Sequence, residues 1–364
     1  MTQRPPPPRE YLAHLPRYIA GTEAVATAGL PNYKLSSNES PYPVLEPLVR
    51  ALSESARRAN RYPPSGRALA EKLAQTHSLA PEQVAVAGGS LELLRDLLTA
   101  YAGFDAEVVL GWRSYEAYPI LVQSLGASGV RVPLLDHRVD LPAVLAAVST
   151  NTRVILLANP NNPTGTVVEK GDLEHFVHQL PRDCLLVLDE AYCEYSSSDL
   201  APAGIRLAER FANVVVLRTF SKAYALAGMR VGWCVADPEI VQNISRVALP
   251  FTLTAMAQAG ALAALELEPQ LMAQVGTTVA ERERVQAALD QAGYTVPRSQ
   301  ANFIWLPLGA QSLGFAERCG SARISVRCFV DEGVRVTIGT PAENDRFLEI
   351  ASSDQTRKFG QRDV

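Results

Sequence analysis

The residues able to do chemistry in this chain sit where apolar runs end. Lys222 follows the β-branched run Asn213–Arg218, inside Thr219-Phe220-Ser221-Lys222. An ammonium held at the tip of a buried strand loses hydration, so its proton affinity falls and the free amine becomes a nucleophile able to form an imine. Asp189 ends the run Cys184–Leu188 in the same way, and a carboxylate there could keep a nitrogen base protonated. Gly88-Gly89-Ser90 closes the run Val84–Ala87 and opens a helical pattern. A helix start of that kind offers unpaired N–H groups and a positive dipole end to an anion. Thr219, Ser221 and Arg230 could complete a phosphate cradle, Arg230 with a planar fork that lysine lacks. Singly, each feature has a plainer reading: a glycine turn, a solvent-facing lysine, a capping aspartate.

Placement strengthens the case. Between Gln83 and Ala236 short β-rich runs alternate with amphipathic segments, which is the signature of a parallel sheet with crossover helices. The expected strands are Val84–Ala87, Glu107–Leu110, Val130–Pro133, Arg153–Ala158, Cys184–Leu188, Asn213–Arg218 and Arg230–Ala236. Helical patterns lie at Ser90–Tyr101, Tyr115–Leu125, Leu141–Val148 and Glu169–Gln179. In open α/β sheets ligands collect beyond the carboxyl ends of the strands. Four of those ends are polar: Gly88-Gly89-Ser90, the stretch from Asn159 to Gly165, Asp189-Glu190-Ala191-Tyr192, and Thr219 to Lys222. They are expected to share one rim.

The C-terminal part reads differently, with helical stretches at Gln258–Leu265 and Leu271–Ala292 and then β-like runs at Phe303–Pro307, Ile324–Arg327 and Gly333–Ile338. That order suits a smaller α+β domain. The expected division is 1–45 as an N-terminal arm draped over the site or a partner subunit, 46–250 as the large domain and 251–364 as the small one. Met1–Arg9, with the run Pro5–Pro8, reads as a flexible leader with no secretory signal, and Ser352–Val364 as a frayed polar tail.

Composition excludes several classes. The net charge of −4 and the scatter of Lys and Arg give no basic field for nucleic acid. Five cysteines, an odd number without a C-x-x-C pair, suit reduced thiols and a cytoplasmic protein. The stretch Val247–Leu265 is uncharged but holds Pro250, Thr252, Thr254, Gln258 and Gly260, so a closely packed buried helix is expected there rather than a membrane span. The histidines are His14, His77, His137, His175 and His178, and the last two lie three apart on a helical pattern with no accompanying carboxylate motif, so no metal site is expected.

The segment Thr219-Phe220-Ser221-Lys222-Ala223-Tyr224-Ala225-Leu226-Ala227-Gly228-Met229-Arg230-Val231-Gly232 resembles the lysine motif of fold-type I pyridoxal-phosphate aminotransferases. Asn159 to Gly165 and Asp189 to Tyr192 resemble that family's two upstream motifs, in order. Gly111 to Pro119 and Ser299 to Pro307 bring the likeness closest to the histidinol-phosphate aminotransferase subfamily, and within it to bacterial aromatic amino acid (phenylalanine) aminotransferases. The similarity runs from about Leu15 to about Leu348.

The resemblance implies an α/β fold, a mainly parallel seven-stranded sheet with helices on both faces plus the smaller α+β domain. It implies pyridoxal 5'-phosphate carried on Lys222 as an imine, with Lys222 also the base between the substrate Cα and the cofactor's C4′. Asp189 would pair with the pyridine nitrogen, Asn162 and Tyr192 with the phenolic oxygen, and Tyr115 would stack on the ring. The phosphate would be held at Gly89, Ser90 and Leu91 with Thr219, Ser221 and Arg230, and by Tyr62 of a neighbouring subunit in a homodimer. Arg335 would grip the substrate α-carboxylate, Arg327 a distal group, and Tyr18 and Asn38 would line the mouth. The implied reaction is ping-pong transamination between aromatic amino acids and 2-oxo acids such as 2-oxoglutarate.

Histidinol phosphate is the alternative donor. Gly111-Trp112 stands where many histidinol-phosphate enzymes have Pro-Thr or Pro-Ser, and the stretch from Arg327 to Arg335 is short for them. A decarboxylase on the same scaffold would keep Lys222 and Asp189. A sensor module of a transcription regulator would need a DNA-binding domain, and no helix-turn-helix pattern precedes the fold.

Overall fold

The computed structural model describes residues 32–197, 200 and 204–353 and, ahead of these, 6, 7, 9, 11, 12, 15–18 and 21. Most of the expected leader, His14 and the tail from 354 onward lie outside the described residues. In chain order the strands are β1 (Tyr33–Lys34), β2 (Val84–Ala87), β3 (Glu107–Trp112), β4 (Ser128–Pro133), β5 (Thr152–Ala158) and β6 (Leu185–Asp189). They continue as β7 (Val214–Thr219), β8 (Gly232–Val235), β9 (Phe303–Leu306), β10 (Ile324–Ser325), β11 (Arg327–Phe329) and β12 (Gly333–Thr337).

Seven of these form the central sheet, in the order β2-β8-β7-β6-β5-β3-β4. The pairs from β7 outward through β6, β5 and β3 to β4 are all parallel. The middle strands carry unbroken apolar runs, 154–158, 185–188 and 214–217, because both faces are covered there. Along β5, Val154 and Leu156 enter one core while Ile155 and Leu157 enter the other; along β7, Val215 and Leu217 part from Val214 and Val216 in the same alternation. Helices Ser90–Tyr101, Ala117–Ser124 and Pro238–Val247 cover one face, and Glu46–Ala56, Arg67–His77, Leu141–Ala146, Lys170–Gln179, Gly204–Arg210 and Ala255–Glu266 the other. Each fully buried Val or Leu contributes roughly 1.5–3 kcal/mol, so the two cores dominate stability.

β8 runs antiparallel to both its neighbours, β2 and β7. The reason is the connection from β7. It holds the Lys222 loop and only a single helical turn, Ala227–Met229, which is too short for a crossover.

Beyond the sheet the 24-residue helix Glu268–Gln291, about 36 Å long, leaves the first core at Leu271 and Val275 and enters a third at Val285 and Leu289. That third core is roofed by the antiparallel sheet β11-β12-β9 and by β1 paired parallel to β10. The expected strand Ile324–Arg327 is two: Val326 separates β10, which pairs with β1, from β11, which pairs with β12. Within the uncharged stretch Val247–Leu265 helix begins only at Ala255, capped by the Thr254 hydroxyl, which accepts from Ala257 N at 3.1 Å. It is closely packed, since a Cβ on Gly260 would come 2.8 Å from Leu52. Among the described residues no helix is long and apolar enough to cross a membrane.

Candidate active site

The anion end of the site starts at the β2 turn. Gly89 has φ +105°, a conformation that L residues rarely adopt, and a Cβ there would lie 2.5 Å from Arg230 Nη2. Glycine therefore lets the Arg230 guanidinium lie against the backbone that opens helix Ser90–Tyr101. Gly232 serves the same junction from behind: a Cβ on it would stand 2.1 Å from Ser90 N. Arg230 donates to Ser221 Oγ at 3.2 Å, and Thr219 Oγ1 bonds Ser221 Oγ at 2.9 Å while accepting from Ser221 N at 3.0 Å. Hydroxyls, helix-start amides and a guanidinium thus converge, which is the donor set a phosphate ester takes.

Lys222 stands deeper. Its Nζ donates to Ser37 O at 3.2 Å and lies 5.8 Å from the centre of the Tyr192 ring. Loss of hydration, with the positive charge of Arg335 adding to it, brings the amine down to about 7. Asp189, 9% exposed, accepts from Tyr118 Oη at 2.6 Å and from Ala191 N at 3.1 Å. Burial nevertheless pushes its carboxyl above the usual range, the two hydrogen bonds opposing. A cation against that carboxylate would offset the cost of its burial.

The third corner comes from the small sheet. Arg335 on β12 is opposite both Arg327 on β11 and Trp305 on β9, so the three side chains leave one face. Arg335 donates to Asn162 Oδ1 at 2.6 Å and to Ser36 O at 2.8 Å, both uncharged, and its buried Nε has no partner. Asn38 is fixed by Thr337, by Asn302, which donates to its carbonyl at 3.1 Å, and by its own bond to Tyr192 Oη at 3.0 Å. Arg327 donates to Glu116.

These corners close one cleft of about 270 Å³. Of the expected residues, Ser90, Leu91, Tyr115, Asn162, Asp189, Tyr192, Thr219, Ser221, Lys222, Arg230, Arg335, Arg327, Tyr18 and Asn38 all line it. Gly89 sits behind the lining and shapes it. Tyr62 lies outside the cleft of its own chain, 80% exposed and stacked on Phe251 at 4.4 Å. Among the lining residues not foreseen are Tyr118, Glu116 and Phe329. Tyr118 follows Tyr115 by one helical turn, and a buried phenol needs a partner, which is the signal the sequence offered for it. Among the described residues no three His, Cys, Asp or Glu side chains gather as a metal site, and His178 packs edge-on against Phe211.

The model of the family "Aminotransferase class I and II" matches residues 32–350. The aromatic amino acid aminotransferase of Mycolicibacterium smegmatis is 46% identical over 344 residues, covering 94% of each chain. That of Thermobifida fusca is 46% identical over 353 residues, covering 96% of this chain and 98% of the relative. Among solved structures, the histidinol-phosphate aminotransferase of Sinorhizobium meliloti in complex with pyridoxal-5'-phosphate superposes with TM-score 0.83 at 28% identity, covering 88% of this chain and 91% of that one. A cleft with a low-affinity amine, a buried carboxylate and an anion cradle, inside a chain matched along nearly its whole length, places this protein in the class I and II aminotransferase family.

Proposed function

We propose that the chain is an aromatic amino acid aminotransferase that uses pyridoxal 5'-phosphate, moving an amino group from phenylalanine or tyrosine to a 2-oxo acid such as 2-oxoglutarate. The observation that carries it is the gathering in one cleft of an amine brought down to about 7, a carboxylate that burial pushes above its usual range, and a buried arginine with an unpartnered Nε. Each suits one part of the cofactor or substrate. The relatives named for aromatic substrates, at 46% identity, support the choice of donor.

When bound, the cofactor supplies an electron-withdrawing ring that stabilises negative charge at the substrate Cα. The residues around it have distinct tasks. Lys222, uncharged in a good fraction of molecules near neutrality, would hold the cofactor through its amine and would move a proton at the substrate Cα. Asp189, steadied by Tyr118, holds a proton on the ring nitrogen. Asn162 and Tyr192 would bond the phenolic oxygen, and Tyr115 would cover the ring face. Ser90, Leu91, Thr219, Ser221 and Arg230 take the phosphate. Arg335 would take the α-carboxylate with its guanidinium, and Asn38 orients Tyr192.

A homodimer belongs to the same proposal, with Tyr62 completing the phosphate site of the partner subunit; the exposed Tyr62–Phe251 stack supports an apolar contact there. The division at 45 and 250 is likewise proposed, with helix Ala255–Glu266 packing back on the core of the large part. No disulfide links any of the five cysteines, in keeping with a cytoplasmic enzyme.

The test is a half-reaction. Protein loaded with pyridoxal 5'-phosphate is mixed with phenylalanine, tyrosine or histidinol phosphate while the absorbance of the bound cofactor and the products are followed. Phenylpyruvate from phenylalanine is expected; reaction with histidinol phosphate alone, or release of CO2, would refute the assignment.

A further inference from the structure

One end of the cleft is built from β11 and the turn before helix Ala117–Ser124, and in the proposed amino-acid site it is the end toward the substrate side chain. Arg327 and Arg335 are direct partners across the β11–β12 ladder, and both line the cleft. Opposed like charges on one face repel. The charge of Arg327 adds to the burial that already lowers the proton affinity of Arg335. The two arginines differ in what they touch. Arg335 bonds neutral oxygens, so its charge stays available to an anion. Arg327 is met by a carboxylate: Glu116 Oε2 accepts from its Nη2 at 2.5 Å and its Nε at 3.2 Å.

Next to that pair the wall is apolar. Phe329, two residues along β11 and so on the same face, lies under the Arg327 guanidinium at 5.7 Å and packs edge-on against Trp305 at 5.4 Å. Gly333 makes this contact possible, since a Cβ on it would fall 2.5 Å from the Trp305 ring.

We infer that Glu116 is a specificity-determining residue: by holding Arg327 in an ion pair it keeps the side-chain end of the cleft neutral, favouring an uncharged aromatic ring over a side chain that ends in carboxylate or phosphate. A distal anion, that of an acceptor such as 2-oxoglutarate included, has to displace Glu116 before pairing with Arg327, and then faces the displaced carboxylate at close range. An aromatic ring lies against Phe329 and leaves the pair intact. The inference rests on the proposed amino-acid site and adds the residue that sets its side-chain preference.

The experiment uses the loaded enzyme and its Glu116→Gln variant, titrated with two unreactive ligands, 3-phenylpropionate and glutarate, through the absorbance of the bound cofactor. The variant is expected to bind glutarate roughly tenfold tighter while 3-phenylpropionate changes by less than about threefold. kcat/KM for glutamate is expected to rise. Adding Arg327→Gln should erase the gain. Glu116→Asp, with a shorter reach to both nitrogens, gives a smaller shift in the same direction and serves if the first variant does not fold. An unchanged ratio of the two affinities, or a parallel loss of both, overturns the role of Glu116. A wild-type enzyme that binds neither ligand and leaves phenylalanine unreacted refutes the aromatic reading instead.

Discussion

Tyr118 donates a hydrogen bond to Asp189 Oδ2 at 2.6 Å, joining helix Ala117–Ser124 to the end of β6. Both residues are buried, and the bond favours the ionised carboxylate against the desolvation that raises it.

Tyr118→Phe removes that donor and keeps the ring. A hydrogen bond to a charged group contributes about 1.5–3 kcal/mol, so kcat/KM is expected to fall roughly ten- to hundredfold. Asp189 then needs a higher pH to stay ionised, so the acid limb of the kcat/KM profile should move upward. Steady-state kinetics across pH checks both; a profile that falls uniformly without shifting would leave Tyr118 with a packing role only.

Lys222 gives a pH signature of its own in the protein without cofactor. Its folded-state affinity, down to about 7, lies below the roughly 10.4 of an unfolded chain. Between those values the unfolded state binds the extra proton, so stability from this group rises with pH from about 7 to about 10 and is reduced below 7. The stability difference between wild type and Lys222→Met, from urea unfolding at pH 6, 8 and 10, should shift toward wild type as pH rises. Labelling of Lys222 by an amine reagent should have its midpoint near 7; a midpoint near 10 would contradict the buried-amine account.

The rim of the site was legible because its residues are local to strand ends. Asp189 and Lys222 each follow an apolar run, and a parallel sheet brings such ends together whatever the loops do. The pairs Tyr118–Asp189 and Glu116–Arg327 were not, because partners 71 and 211 residues apart meet only once helix and sheets have packed. Strand direction was also hidden: β8 is as apolar as the buried parallel strands of the sheet, and only its short connection turns it round. Helices Pro238–Val247 and Pro341–Ser352 lay outside the alternating pattern yet carry start signals, Asp237 before Pro238 and Thr340-Pro341 with Glu343.

Gly89→Ala tests the cradle. The left-handed φ and the 2.5 Å approach to Arg230 are both penalised by a methyl group. A loss of about 1–3 kcal/mol is expected in urea unfolding. Cofactor affinity should drop more than stability does, because Arg230 is the group displaced. Equilibrium dialysis against the cofactor measures it, and an unaltered affinity would remove Arg230 from the phosphate site.

Arg335→Lys separates charge from shape. Lysine keeps the positive charge but cannot hold Asn162 Oδ1 and Ser36 O on two nitrogens of one plane, nor present a fork to a carboxylate. Every donor with an α-carboxylate is expected to lose roughly hundredfold in kcat/KM, mostly through KM. 2-Phenylethylamine keeps the ring and the amine but has no anion on the carbon that bears the amine, so its half-reaction should suffer far less. Equal losses for phenylalanine and for that amine would mean that Arg335 supports the cleft as a whole and does not grip the carboxylate.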